Sequence, residues 1–122
     1  MAEKKLILLV EDDQAVSDMV REFLLQNGFE VERAMDGQEA LEKISAKQDL
    51  IILDLGLPKV SGLEVLKRIK QDEFKSAKPI IVLTGKSDSN TIFDAMEAGS
   101  YDYLIKPVKL EELINTIKRA TL

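Results

Sequence analysis

The chain has no cysteine and no histidine. The first absence excludes disulfides and thiolate metal sites, and is neutral to favourable for a reducing compartment. The second removes imidazole from general base catalysis and takes most zinc chemistry with it. Long apolar runs are also missing. The start resembles a leader, with Lys4 and Lys5 before Leu6-Ile7-Leu8-Leu9-Val10, but the run stops at Glu11-Asp12-Asp13, too short for a signal core. No later run is long enough to span a bilayer. No membrane contact is expected, and the expected location is cytoplasmic. With 17 basic and 22 acidic residues the net charge is −5, which offers no basic surface for direct nucleic-acid binding. No linker, repeat or low-complexity segment interrupts the chain. What is present is 122 residues, the size of one domain with its own core.

Short apolar runs alternate with helical patterns. Leu6 to Val10, Leu50 to Leu53 and Ile80 to Leu83 are unbroken apolar runs. Phe29-Glu30-Val31-Glu32 and the series Tyr101, Tyr103, Ile105 alternate instead. Between them Val16, Met19, Val20, Phe23 and Leu24 share a helical face, as do Ala40, Leu41 and Ile44, then Leu63, Leu66 and Ile69. Ile92, Ala95, Met96 and Gly99 make a narrower face, which suggests a fourth helix less tightly anchored than the others. Leu110, Leu113, Ile114 and Ile117 make a closing amphipathic helix. Strands alternating with helices imply a parallel sheet in a three-layer α/β domain. Strands covered on both faces read as unbroken apolar runs, and less covered strands alternate. The first, third and fourth strands therefore belong in the centre, and the second and fifth at the edges. The strand order 2-1-3-4-5 of a flavodoxin-like, doubly wound fold meets that condition.

In such sheets ligands bind beyond the carboxyl ends of the strands, where the strand order reverses. Those ends carry Glu11-Asp12-Asp13, Asp54, Thr84-Gly85 and Lys106-Pro107. Three converging carboxylates, Glu11, Asp12 and Asp54, repel one another. Two unit charges about 4 Å apart cost ~4 kcal/mol at an effective dielectric near 20. Such a cluster takes up a proton or recruits a cation, and hard oxygen donors select Mg²⁺, with Mn²⁺ as a substitute, over zinc. Asp13, followed by Gln14-Ala15-Val16, is read as a helix N-cap rather than a ligand. A lone strand-end lysine is ordinarily a surface charge. Lys106 and Thr84 beside an aspartate and a metal would together hold the oxygens of a phosphoryl group. Gly56 and Gly85 let backbone N–H groups approach an anion. Phosphoryl transfer needs mostly positioning and charge neutralisation, and aspartate is a known covalent nucleophile.

Taken in order, these segments resemble the receiver domain of bacterial two-component response regulators. The resemblance rests on Leu8 to Asp13, Asp36 to Leu41, Asp49 to Pro58, Ser61-Gly62-Leu63, Pro79 to Thr84, Ala98-Gly99 and Asp102 to Pro107. It implies that Asp54 accepts a phosphoryl group from the phosphohistidine of a histidine kinase or phosphotransfer protein. It implies that Asp12 binds Mg²⁺ directly, Glu11 through water, and Gly56 by its carbonyl. Thr84 and Lys106 would bind the phosphoryl group, Tyr103 would be the aromatic switch, and the Lys106–Pro107 peptide would be cis. The implied protein is a phosphoacceptor that assists its own phosphorylation and dephosphorylation rather than an enzyme. Its switched surface would be built by the fourth helix, fifth strand and fifth helix. That surface would meet an output protein or domain, or a second copy in a homodimer. The whole span 1–122 is expected to be receiver, with no output domain in this chain.

Two positions depart from the family. Gly56 stands where a larger residue is frequent, and Gly85 where Ala or Ser is frequent, which bears on phosphoaspartate lifetime and water access. Lys86 lies where the family varies and tunes dephosphorylation; a solvated surface lysine explains it equally well. Three other readings compete. A haloacid-dehalogenase-type phosphohydrolase wants a second acid two residues after its nucleophile, where Gly56 stands. A flavodoxin-like cofactor binder wants a phosphate cradle where Glu11-Asp12-Asp13 would repel one. A phosphorylation-independent docking receiver would leave every chemical residue without a task.

Overall fold

The protein is described here by a computed structural model covering residues 4–72, 77–85 and 89–122. Strands β1 (Leu6–Val10), β2 (Glu30–Ala34), β3 (Leu50–Asp54), β4 (Ile80–Thr84) and β5 (Asp102–Ile105) alternate with helices α1 (Gln14–Gln26), α2 (Gly37–Lys43), α3 (Gly62–Gln71), α4 (Ser89–Glu97) and α5 (Leu110–Ala120). All strand pairs are parallel, in the order β2-β1-β3-β4-β5. This is the order inferred from the texture of the strands. None of these helices is long and apolar enough to cross a membrane.

The unbroken apolar runs have a simple cause. Successive residues of a strand face opposite sides of the sheet, and here both sides are covered. On one side Leu8, Val10, Ile51, Leu53, Ile80 and Val82 pack against Ala40, Val65, Leu66, Ile69 and Ala95 of α2, α3 and α4. On the other, Ile7, Leu9, Leu50, Ile52, Ile81 and Leu83 pack against α1 and α5 through Val20, Leu24, Leu113, Ile114 and Ile117. Cutting one of these buried Leu or Ile side chains back to Ala would cost about 2–5 kcal/mol.

The starts of α1, α2 and α3 are fixed by side-chain caps. Asp13 Oδ1 accepts from the Val16 N–H at 3.1 Å, so Asp13 is the N-cap read from the sequence. Asp36 Oδ1 accepts from the Glu39 N–H at 2.8 Å, and Ser61 Oγ accepts from the Glu64 N–H at 3.2 Å.

Three details differ from the sequence reading. Helix α2 stops at Lys43, and Ile44 is its C-cap, still buried. On β5 the buried residue is Leu104, while Ile105 and Tyr101, just before the strand, are exposed. The series Tyr101, Tyr103, Ile105 lies on one face, but β5 is an edge strand and only Tyr103 of the three packs onto the core. On α4 Ala95 is buried, whereas Met96 is 43% exposed, so the anchoring face is narrower than its apolar spacing implies.

Register carries the strand ends into one crevice. Val10 pairs with Leu53, which sets Glu11 beside Asp54. Asp54 pairs with Leu83, and Thr84 with Ile105. Backbone bonds extend the ladder one step further, from the Leu55 N–H to the Leu83 carbonyl at 3.0 Å and from the Lys106 N–H to the Thr84 carbonyl at 2.8 Å.

Candidate functional site

The two-residue alternation of the strands decides which strand-end side chains meet. Ile52 and Leu104 face α1 and α5. Two residues on, Asp54 and Lys106 face the same way, and so does Glu11, two residues after Leu9. The side chains meet accordingly. Lys106 Nζ lies 2.7 Å from Glu11 Oε1 and 3.1 Å from Asp54 Oδ2. Asp54 Oδ1 accepts from the Gly56 N–H at 3.0 Å, and Glu11 Oε2 from the Asp13 N–H at 3.2 Å.

Burial separates the roles of the two buried acids. Glu11 is wholly buried and Asp54 nearly so, while Asp12 is exposed. Burial pushes the Glu11 carboxyl from 4.5 up to about 7, against the pull of Lys106. Burial acts on Asp54 in the same sense, but the Gly56 N–H, Glu11 and Lys106 outweigh it and hold its carboxyl below the usual value. Burial alone would lower the Lys106 ammonium; Glu11 and Asp54 together raise it instead. Burial thus favours the protonated form of Glu11, while the Gly56 N–H and Lys106 favour the ionised form of Asp54, the state a nucleophile needs.

The same cluster fits a hard divalent cation. Glu11, Asp12 and Asp54 each offer a carboxylate oxygen within 4.8 Å of the others. Glu11 Oε1 is buried, with the Lys106 ammonium beside it at 2.7 Å. An all-oxygen donor set with one solvent-facing member matches Mg²⁺ or Mn²⁺.

A cavity of about 600 Å³ opens over Asp54, and Asp12, Gly56, Thr84, Gly85 and Lys106 line it. Thr84 is 4% exposed at the end of β4. It stands two residues after Val82, which pairs with Tyr103, so Thr84 and Tyr103 share the face toward α3 and α4. Of the site residues read from the sequence, Asp12, Asp54, Gly56, Thr84 and Lys106 line this cavity, Glu11 is buried against Lys106, and Tyr103 packs on the core. Thr91 of α4 also lines the cavity and was not picked out from the sequence. A lone threonine in a helix carries no signal until the fold places it. Lys86 lies outside the described residues.

A parallel α/β sheet thus gathers acids, a threonine and a lysine at its switch point. Residues 7–118 match the response regulator receiver domain family. The chain is 43% identical over 117 residues to the transcriptional regulatory protein CrdR of Helicobacter pylori, covering 95% of this chain and 54% of that protein. It is 39% identical over 113 residues to the response regulator ArlR of Staphylococcus aureus, covering 92% and 50%. Its structure is similar to that of the chemotaxis protein CheY4 of Vibrio cholerae, with a TM-score of 0.89 at 32% identity over 96% of this chain and 98% of the other.

The chain belongs to the receiver domains of two-component response regulators. It spans about half the length of the curated relatives it matches. Phosphorylation on aspartate and switching of partners are the general function of this family. Its members bind Mg²⁺ at an acidic pocket and interact with histidine kinases and output domains. Receiver domains are not, as a rule, turnover enzymes.

Proposed function

We propose that this receiver takes its phosphoryl group on Asp54, in the cytoplasm, from the phosphohistidine of a histidine kinase or phosphotransfer protein. The observation that carries the reading is the position of Lys106, whose ammonium lies 3.1 Å from Asp54 and 2.7 Å from Glu11 at the reversal point of the sheet. An ionised Asp54 oxygen forms the new P–O bond. The P–N bond of the donor breaks, and its electron pair stays on the imidazole nitrogen. Lys106 and Thr84 donate to the phosphoryl oxygens as charge builds there. Glu11, Asp12, Asp54 and the Gly56 carbonyl would hold Mg²⁺, which when bound neutralises charge between the acids and the phosphoryl oxygens. In dephosphorylation, water adds to phosphorus, the bond to Asp54 breaks, and inorganic phosphate leaves.

The output follows from charge. A phosphoryl group adds about −1.5 to −2 at neutral pH and acts only through contacts that differ between two states. Thr84 and Tyr103, on one face of the sheet, would couple the site to α4, β5 and α5. Exposed apolar side chains on that surface, Phe93, Met96 and Ile105, support its use for an output partner or a second copy. The span 1–122 acts as one receiver unit in this reading.

Borohydride reduction tests the acceptor. It converts an aspartyl phosphate to homoserine, and peptide mapping then places it. Homoserine is expected at residue 54 after treatment with acetyl phosphate and Mg²⁺. Homoserine at another aspartate would overturn the assignment.

A further inference from the structure

The loop between β3 and α3 runs from Asp54 through Gly56 to Ser61, so whatever fixes that loop fixes the acidic site. Its near end is held by a close approach. The Gly62 N–H donates to the Leu55 carbonyl at 3.2 Å, and a Cβ on Gly62 would sit 2.3 Å from the Asp54 carbonyl oxygen. Its far end is held by a different part of the chain, the turn into α2. Lys59 has φ +66°, the only left-handed residue other than glycine among those described. That region is unfavourable for a lysine side chain, so the turn needs a compensating contact. Two are present. Lys59 Nζ lies 3.2 Å from Asp36 Oδ2. Val60 is seated on Gly37 so closely that a Cβ there would lie 2.1 Å from the Val60 carbonyl oxygen. Asp36 is itself immobilised, since its other oxygen accepts from the Glu39 N–H. That bond first, with Lys59 acting in the same sense, holds its carboxyl below the usual carboxylate value.

We propose that Asp36 and Lys59 are positioning residues for the metal and phosphoryl site: their ion pair, with Val60 packed on Gly37, holds the β3–α3 loop so that the Gly56 backbone keeps its place beside Asp54. The inference rests on the reading of Glu11, Asp12, Asp54 and Gly56 as the Mg²⁺ site. Neither residue touches that site. A pair whose lysine is largely exposed contributes little to global stability, so its effect is expected in the geometry of the loop and not in the fold.

The test is the Mg²⁺ dissociation constant, measured by calorimetry on the full chain, for wild type, Asp36→Asn, Lys59→Gln, the double variant and Lys59→Arg. Asparagine keeps the helix cap and removes the charge. The Lys59→Gln variant separates positioning from simple charge. Through-space electrostatics alone predicts tighter Mg²⁺ binding once a nearby positive charge is lost, whereas positioning predicts weaker binding. The expected result is a rise of about threefold for each single variant, the size of an exposed pair's contribution. The double variant should be no worse than either single one, and Lys59→Arg should match wild type. Equal or tighter binding by Lys59→Gln, with wild type binding Mg²⁺ normally, overturns this proposal alone. A wild-type chain that takes no Mg²⁺ overturns the metal reading and this proposal with it.

Discussion

The carboxylate of Glu11, with no exposed surface, meets the ammonium of Lys106 at 2.7 Å. The same ammonium reaches Asp54 at 3.1 Å, so one lysine is the counter-ion of two buried acids. It occupies, in charge, part of the role a divalent cation would take.

Removing that lysine has two opposite consequences. In Lys106→Met the acids lose their internal counter-ion, and Mg²⁺ binding should tighten by on the order of tenfold, given that one unit charge at about 4 Å is worth up to ~4 kcal/mol at an effective dielectric of 20. Phosphorylation by acetyl phosphate should slow even with the metal site saturated, because a donor to the phosphoryl oxygens is gone. Calorimetry and single-turnover kinetics read the two effects separately. Weaker Mg²⁺ binding in the variant would contradict the electrostatic account.

Gly62 is required by a close approach, not by its φ angle. A Cβ there would lie 2.3 Å from the Asp54 carbonyl oxygen and 2.4 Å from Leu55 Cα, both backbone atoms that no rotamer change can clear. Gly62→Ala should therefore destabilise the fold by about 1–3 kcal/mol, the usual cost of overpacking. Mg²⁺ affinity should fall with it as the end of β3 shifts. Urea unfolding measures the first effect, and a change within about 0.5 kcal/mol, as for an ordinary surface substitution, would contradict it.

The space over Asp54 bears on the lifetime of the phosphorylated form. A Cβ on Gly56 would meet Asp54 Oδ1 at 3.7 Å, an ordinary contact, and one on Gly85 would meet nothing within 4 Å. Gly56→Met is thus tolerated by the backbone and places bulk where water approaches. Its phosphoaspartate should decay several-fold more slowly than wild type, followed by loss of the adduct mass with time. Unchanged or faster decay would show that water reaches phosphorus by another route.

Acid should weaken the turn into α2. The Asp36 carboxyl lies below its ordinary value of 3.8, held there first by the Glu39 N–H and then by Lys59. A depressed folded value means that the stabilisation is present above the unfolded value and is lost as pH falls through the folded one. Asp36→Ala should therefore melt below wild type at neutral pH, and the gap should narrow as pH drops below about 3.8. A gap independent of pH would assign the effect to the helix turn alone.

Much of this was legible in the sequence because the signals were local. Unbroken apolar runs at Leu6 to Val10, Leu50 to Leu53 and Ile80 to Leu83 report strands covered on both faces. With these strands central, the flavodoxin-like order 2-1-3-4-5 meets the condition, and that order brings the polar residues at their ends together. Asp13 could be set aside as a cap for the same reason, since capping depends on its immediate neighbours. What stayed hidden depends on distant parts of the chain. The burial of Leu104 rather than Tyr101 or Ile105 reflects which face of an edge strand a helix covers. The seat of Val60 on Gly37 and the left-handed Lys59 arise only when the β3–α3 loop meets α2. Thr91 reaches the cavity because α4 packs where it does.

The most direct test of Asp54 as a Mg²⁺-dependent phosphoacceptor is intact mass after incubation with acetyl phosphate, with and without Mg²⁺, on wild type and Asp54→Asn. The account predicts a labile gain of one phosphoryl group on wild type, absent without Mg²⁺ and absent in the variant. An adduct that survives the loss of Asp54, or that forms without the metal, would contradict it.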